Sequence, residues 1–279
     1  MLRRMAPRLR AITVRSYRCF AEPFRLELRP LTLVYGRNNA GKSAAVRLVG
    51  ILADSIRETA RAVLDLSGVA GGGSSFDRVQ WKGLGSTEPT GVWLTLEWID
   101  APIRRASYRL DLHTNWRRIY VSELEVFDEA DEPLVRAQAT SEMNRYHLSR
   151  RGRAEPSYTE IRFTGLVPRH DEPSLAQLHE QLSGLRGRLQ WMGTGRTAPP
   201  ELIPEDAPPP VQLLPDGSGC VEKLLADHYL RGAIGGWVTG VARPVHIGRT
   251  TQVWQIDLTN DAGEMTCASR ITMAVLQPK

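Results

Sequence analysis

Lysine is nearly absent from this chain. Of its 36 basic residues, Lys42, Lys82, Lys223 and Lys279 are the lysines, and arginine supplies the rest. Arginine suits bidentate contacts to anions, but a GC-rich coding sequence produces the same bias. Cysteine is also scarce. Cys19, Cys220 and Cys267 form an odd set without metal-ligand spacing, which excludes a disulfide framework and points to reduced thiols in a cytosol. No apolar run approaches the ~18 residues of a membrane span. Acid is missing from the first 18 residues, which hold six arginines. That opening has no apolar core, so it does not read as a secretory signal.

What is present is ordinary globular material: 279 residues, 42% hydrophobic and 24% charged. The net charge of +5 is accounted for by the N-terminal arginines, and the rest is balanced. Arg104, Arg105, Arg109, Arg117 and Arg118 form a second basic cluster, and residues 145–153 a third. Both read as solvated strand edges and turns; a nucleic-acid surface stays open as an alternative.

The hydrophobic pattern divides the chain. Residues 10–16 and 24–35 alternate as strands do, with "LTLVY" (31–35) continuous enough for a strand buried on both faces. Val46, Val49, Leu52, Ile56, Ala60, Val63 and Leu64 predict a helix from about 42 to 66. Residues 68–75 read as a flexible glycine-rich link. From 91 to 163, "VWLTLEWI", "SYRLDL", "RIYVSELEVFD" and "TEIRF" predict an antiparallel meander. A helix is expected over 173–192, a proline-rich loop over 196–217, a short helix over 220–230, and strands from 235, with "NDAG" as a hairpin turn.

One motif carries chemistry. "GRNNAGKS" runs Gly36, Arg37, Asn38, Asn39, Ala40, Gly41, Lys42, Ser43. Glycines at that spacing let successive backbone N–H groups converge on one anion, and the following helix adds its positive end. The expected ligands are ATP and Mg²⁺: Lys42 at the β- and γ-phosphates, the Ser43 hydroxyl on the metal.

Around this motif, residues 10–52 resemble the N-terminus of the ABC-type ATPases that include the SMC, RecF and OLD-like proteins. Ser16-Tyr17-Arg18-Cys19-Phe20 and Asn38 lie where that family has its own elements. The resemblance continues loosely to about 230. It implies an α/β P-loop NTPase fold with an antiparallel β portion near 91–165, nucleotide as ligand, and a second ATPase head or an effector as partner. It also implies a cytoplasmic place without membrane contact, and it places Arg18 near the base or ribose.

Other parts of such a machine are missing. Gln80 lies about where the family positions its water-orienting glutamine, although a surface glutamine in a loop is the favoured reading. "LSGLR" (182–186) falls inside a helix. "AVLDL", "LTLEW" and "WQIDL" lack the acidic pair of a Walker B strand. The reading is of nucleotide binding with weak or absent turnover in a truncated ATPase-like domain over 1–232.

The end of the chain has another character. Residues 236–276 resemble the last three strands of a hotdog-fold thioesterase of the small acyl-CoA type. That resemblance implies a β tail over 233–279 and, as the alternative function, acyl-CoA thioester hydrolysis. The family's long helix, which supplies the catalytic carboxylate or amide, has no counterpart upstream. A fusion or frameshift accounts for the junction. A nucleotide-gated interaction module without turnover is the third reading.

Overall fold

The computed structural model describes residues 8–29, 32, 34, 37, 39–82, 91–113, 115, 117–153, 155–192, 214, 216, 218, 220, 239–247, 251–259, 263 and 265–274. The chain divides into two compact units, one of 1–197 with 211–218, the other of 198–210 with 219–279.

The first unit is built on an eight-stranded sheet. Its strands are β1 (Arg8–Arg15), β2 (Phe24–Glu27), β3 (Val92–Ile99), β4 (Arg105–His113), β5 (Arg118–Phe127), β6 (Pro133–Ala139), β7 (Arg145–Arg150) and β8 (Ser157–Glu160). The order is β2-β1-β3-β4-β5-β6-β7-β8, and each neighbouring pair is antiparallel. The period-2 alternation of the sequence explains this sheet. Val14, Leu94, Tyr108, Leu124, Ala137 and Leu148 are successive partners across six strands, and all are buried. The next row over, Trp93, Arg109, Glu123, Gln138, His147 and Tyr158, is polar or amphipathic and belongs to the solvated side.

The buried row needs cover, which comes from helices. Leu48, Ile51 and Leu52 of α1 (Lys42–Ser55) and Leu175, Leu178 and Leu182 of α3 (Pro173–Gly184) enter the same core. The short α2 (Phe76–Val79) adds both its ends, Phe76 and Val79. A small hairpin, β9 (Arg162–Thr164) with β10 (Val167–Arg169), packs under α3. Several polar groups inside are paired with backbone, which offsets the cost of their burial. Gln181 accepts from the Ile103 N–H at 2.8 Å and donates to its carbonyl at 3.1 Å. Tyr108 and Tyr146 donate to the carbonyls of Leu166 and Val121.

Helix α1 stops at Ser55 rather than near 66. The Ser55 carbonyl, which a longer helix would use, accepts the Leu166 N–H at 2.8 Å, and the Ser55 hydroxyl accepts the Asp65 N–H. Gly165 makes that approach possible: its φ is 60°, and a Cβ there would lie 1.8 Å from the Ser55 oxygen. A tertiary contact thus overrides the helical pattern of 56–64. Helix α3 likewise ends at Gly184, before the expected 192, with Leu185 as its C-cap.

The expected α/β P-loop fold is corrected. Such a fold needs a parallel sheet with helices on its faces, and among the described residues every strand pair is antiparallel. Of "LTLVY", Thr32 and Val34 are described. Neither is in a strand, and Val34 is exposed.

The second unit contains one three-stranded antiparallel sheet, β11 (Thr239–Ile247), β12 (Thr251–Thr259) and β13 (Met265–Ala274) in that order. A register shift falls between Pro244 and His246, where proline cannot donate to the ladder. Of "NDAG", Gly263 is described, with φ 76°, the left-handed conformation that a tight turn asks of glycine. The helix expected at 220–230 lies outside the described residues except for Cys220.

Candidate functional site

The turn between β1 and β2 gathers the residues that the sequence singled out. Tyr17 and Phe20 exchange backbone hydrogen bonds at 3.0 and 2.8 Å. The strap after α2 runs alongside: the Arg18 N–H donates to the Val79 carbonyl at 2.6 Å and the Trp81 N–H to the Ser16 carbonyl at 2.9 Å. Tyr17 bridges to Gln80. Gly41 backs directly onto this turn, since a Cβ there would lie 2.6 Å from Cys19 Sγ and 3.0 Å from Phe20 Cζ. Arg18, Gln80 and the start of α1 therefore surround one small region of the first unit.

Each has a definite environment. Gly41 is the N-cap of α1 at φ 87° and provides no side-chain cap; the first turn has no acid. The first turn of a helix carries the positive end of its dipole. Lys42 Nζ donates to the Arg37 carbonyl at 2.6 Å, which closes the loop over itself. Asn39 has φ 64°. Gly36 and Asn38 lie outside the described residues. Arg18 Nε donates to the Tyr17 hydroxyl at 3.1 Å, while its Nη2 is buried without a hydrogen-bond partner. Burial raises the Tyr17 phenol, and Arg18 partly offsets that. Gln80 is not the surface residue that a loop glutamine suggests; it is buried, 8% exposed. A helix end, an ammonium group and an orphaned guanidinium nitrogen are chemistry of one sign.

The acidic partners that phosphoryl transfer would need are occupied elsewhere. Glu97 pairs with Arg25 at 2.8 Å. Asp100 is at φ 57° and faces Arg8 at 3.6 Å. Asp65 accepts the N–H groups of Arg61 and Ser67 and the Ser67 hydroxyl; burial works to raise its carboxyl, and these bonds outweigh it and hold it low. "LSGLR" lies at the C-terminal end of α3. Among the described residues, no three His, Cys, Asp or Glu side chains are grouped as a metal ion would need. Also among them, no helix is long and apolar enough to cross a membrane.

In the second unit, β12 carries a polar row. Gln255, Asp257 and Thr259 are half-buried, and Gln255 Nε2 donates to Asp257 Oδ1 at 3.0 Å. An amide two residues away on the same strand face holds the carboxylate in one orientation. Backbone register pairs Asp257 with Val241 and with Ala268, and His246 with Val253.

Comparison with known proteins speaks to this second unit. A family model described as "Thioesterase superfamily" matches residues 224–267. A protein of Pseudomonas aeruginosa that carries an esterase name is 49% identical over 57 residues, 20% of this chain and 39% of that protein. The 1,4-dihydroxy-2-naphthoyl-CoA hydrolase of Escherichia coli is 43% identical over 49 residues, 18% of this chain and 36% of its own length. The proofreading thioesterase EntH of Cronobacter sakazakii is 34% identical over 61 residues, 22% and 44% of the two chains. The chain thus spans less than half the length of each of these relatives.

These matches, with the antiparallel sheet, correct the identification of the chain as an ABC-type, OLD/RecF/SMC-like ATPase of the AAA family. The similarity found is to thioesterases and esterases. The β11–β12–β13 sheet falls mostly within the matched span. Sequence reasoning missed the role that tertiary structure gives to Gln80, because a glutamine after a glycine-rich link has no apolar pattern to predict its burial. It also missed Gln255 as the anchor of Asp257, although their spacing of two was visible in "WQIDL".

Proposed function

We propose that the chain acts in thioester hydrolysis through its C-terminal unit, with an acyl-CoA as the substrate class. One observation carries this reading: the thioesterase match over 224–267 overlaps a continuous antiparallel meander with an oriented carboxylate on its middle strand. Thioester hydrolysis requires a base to take a proton from water, a carbonyl made electrophilic by donors, and a thiolate that leaves and is then protonated. Asp257 is the carboxylate that we assign to the first task, with Gln255 fixing its position. The backbone register shift beside His246 places that residue at the irregular end of β11. One relative's name specifies an aromatic acyl-CoA, so aromatic and short aliphatic acyl-CoA esters are the compounds to try. The test follows CoA release by the full chain, by Asp257→Asn and by His246→Ala. Release above the buffer rate that falls in Asp257→Asn supports the reading; no release from any acyl-CoA sinks it.

A second reading concerns the other unit and rests on the N-terminus of α1, which has no side-chain cap, packed on the turn that carries Arg18. Here we propose an anion site at residues 36–43, with ATP and Mg²⁺ as the first ligands to test. Lys42 would meet the phosphate charge and Ser43 the metal. Calorimetry of the wild type beside Lys42→Ala decides it. Loss of at least about tenfold in affinity, about 1.4 kcal/mol, is expected; equal affinity removes the proposal.

A further inference from the structure

Two adjacent clefts in the first unit share the wall made by Arg61, Ala62 and Ile119. The first, about 280 Å³, runs between the 60–63 segment and the ends of β5 and β6, with Tyr120, Tyr146, Phe163 and Met143 among its walls. The second, about 410 Å³, lies on the other side of that wall and reaches Arg117 and Leu112. Ligand sites combine apolar walls with a few polar groups of fixed position, and both kinds are present. Met143 is 49% exposed and Leu112 37% exposed, so apolar surface faces solvent at each cleft.

The shared wall carries Arg61, with Arg118 lining the first cleft and Arg117 the second. Arg117 and Arg118 form no ion pair among the described residues, and Arg61 acts on Asp65 without a direct pair. The nearby carboxylates are largely taken: Glu142 by Arg145 at 2.7 Å and Asp65 by backbone N–H groups. Asp77 remains on the rim of the second cleft. Across the two clefts Arg61, Arg117 and Arg118 thus stand with Glu142, which is paired with Arg145, and with Asp65 and Asp77 on the second cleft.

The backbone adds an independent observation. Arg117 sits at φ 50° in the turn between β4 and β5, its N–H donating to the His113 carbonyl at 2.7 Å. A long side chain is disfavoured there, and glycine or asparagine would close the turn with less strain. Strained residues of this kind persist where their side chain has a task.

We propose that this double cleft binds an organic phosphate, a phosphate ester whose aromatic or aliphatic body lies against Tyr120, Phe163 and Met143 while Arg61, Arg117 and Arg118 hold the phosphate. Arginine forks match phosphate oxygens in pairs, and the flat apolar walls suit a ring. None of the residues at 36–43 lines either cleft.

The test uses 1-naphthyl phosphate as the probe on the full chain, with inorganic phosphate and 1-naphthol as separate arms. Calorimetry should show 1-naphthyl phosphate binding tighter than about 1 mM and better than either part alone. Arg61→Ala/Arg118→Ala should weaken it at least about tenfold. Arg117→Gly separates binding from structure: it should raise the melting temperature and still weaken the probe. Should the double variant not fold, Arg117→Gly decides alone. No binding of the probe, or affinity within about twofold of wild type in these arginine variants, overturns the proposal, as does equal binding of 1-naphthol.

Discussion

The two sheets of this molecule differ in what they leave half-buried. In the eight-stranded sheet, buried positions form a continuous apolar row from Val14 to Leu148, and the buried hydroxyls of Tyr108 and Tyr146 donate to backbone carbonyls. In the three-stranded sheet, the half-buried side chains described on β12 are Gln255, Asp257 and Thr259. The eight-stranded sheet also holds half-buried carboxylates, Glu97, Asp111 and Glu123, but each of these is paired with an arginine, whereas Asp257 is held by an amide. A sheet that holds a partly desolvated carboxylate beside an amide can offer chemistry from its own surface.

Variants can break or sharpen that contrast. The largest effect is expected from Leu124→Ala. Its side chain is fully buried in the middle of the apolar row, and the cavity should cost about 2–5 kcal/mol, read as a lower midpoint in urea. Gly165→Ala should cost about 2–3 kcal/mol, because the added Cβ meets the Ser55 oxygen at 1.8 Å and the backbone is left-handed. It should also free the end of α1, seen as faster amide exchange at Leu166. If Gly165→Ala is neutral, the contact-driven stop of α1 is wrong.

A smaller effect tests the solvated face. The Arg25 hydrogen bonds to Glu97 come first among the causes that hold that carboxyl below its ordinary value. A lowered carboxylate adds stability above its unfolded pKa, about 4.3, and loses it as pH falls through the lower folded value. Arg25→Ala should flatten the acid side of the stability profile between pH 5 and pH 3, by about 1 kcal/mol at most since the pair is partly exposed. Asp54 should behave oppositely. Burial raises its carboxyl despite Arg57, so its contribution is fullest at low pH and fades as pH rises through the folded value. Asp54→Asn should remove that fading, with a change near pH 7 of about 0.5 kcal/mol or less. A larger loss would mean that the Arg57 pair outweighs the burial.

Much of this architecture can be read from the sequence. The alternation in "VWLTLEWI" and "RIYVSELEVF" names the strands and their buried face, because period-2 burial leaves a direct trace. The hydrophobic spacing in 42–55 gives α1 for the same reason. The extent of α1 could not be read, since its stop is set by Gly165 and Leu166, more than a hundred positions away. The motif at 36–43 suggested a parallel sheet by resemblance, yet a glycine-rich turn before a helix specifies local backbone and not strand direction. Arg18, Gln80 and Gly41 were each visible, and their meeting was not, because it depends on the strap at 79–81 pairing beside a hairpin turn. Asp257 stood in the sequence as one acid in an alternating run, and its anchoring by Gln255 needed coordinates.

The most direct measurement is CoA release from benzoyl-CoA and short acyl-CoA esters by the full chain, run beside Asp257→Asn and Lys42→Ala. The account predicts release that falls at least about tenfold in Asp257→Asn and is unchanged in Lys42→Ala. Release that is absent, or equal in wild type and Asp257→Asn, would contradict it.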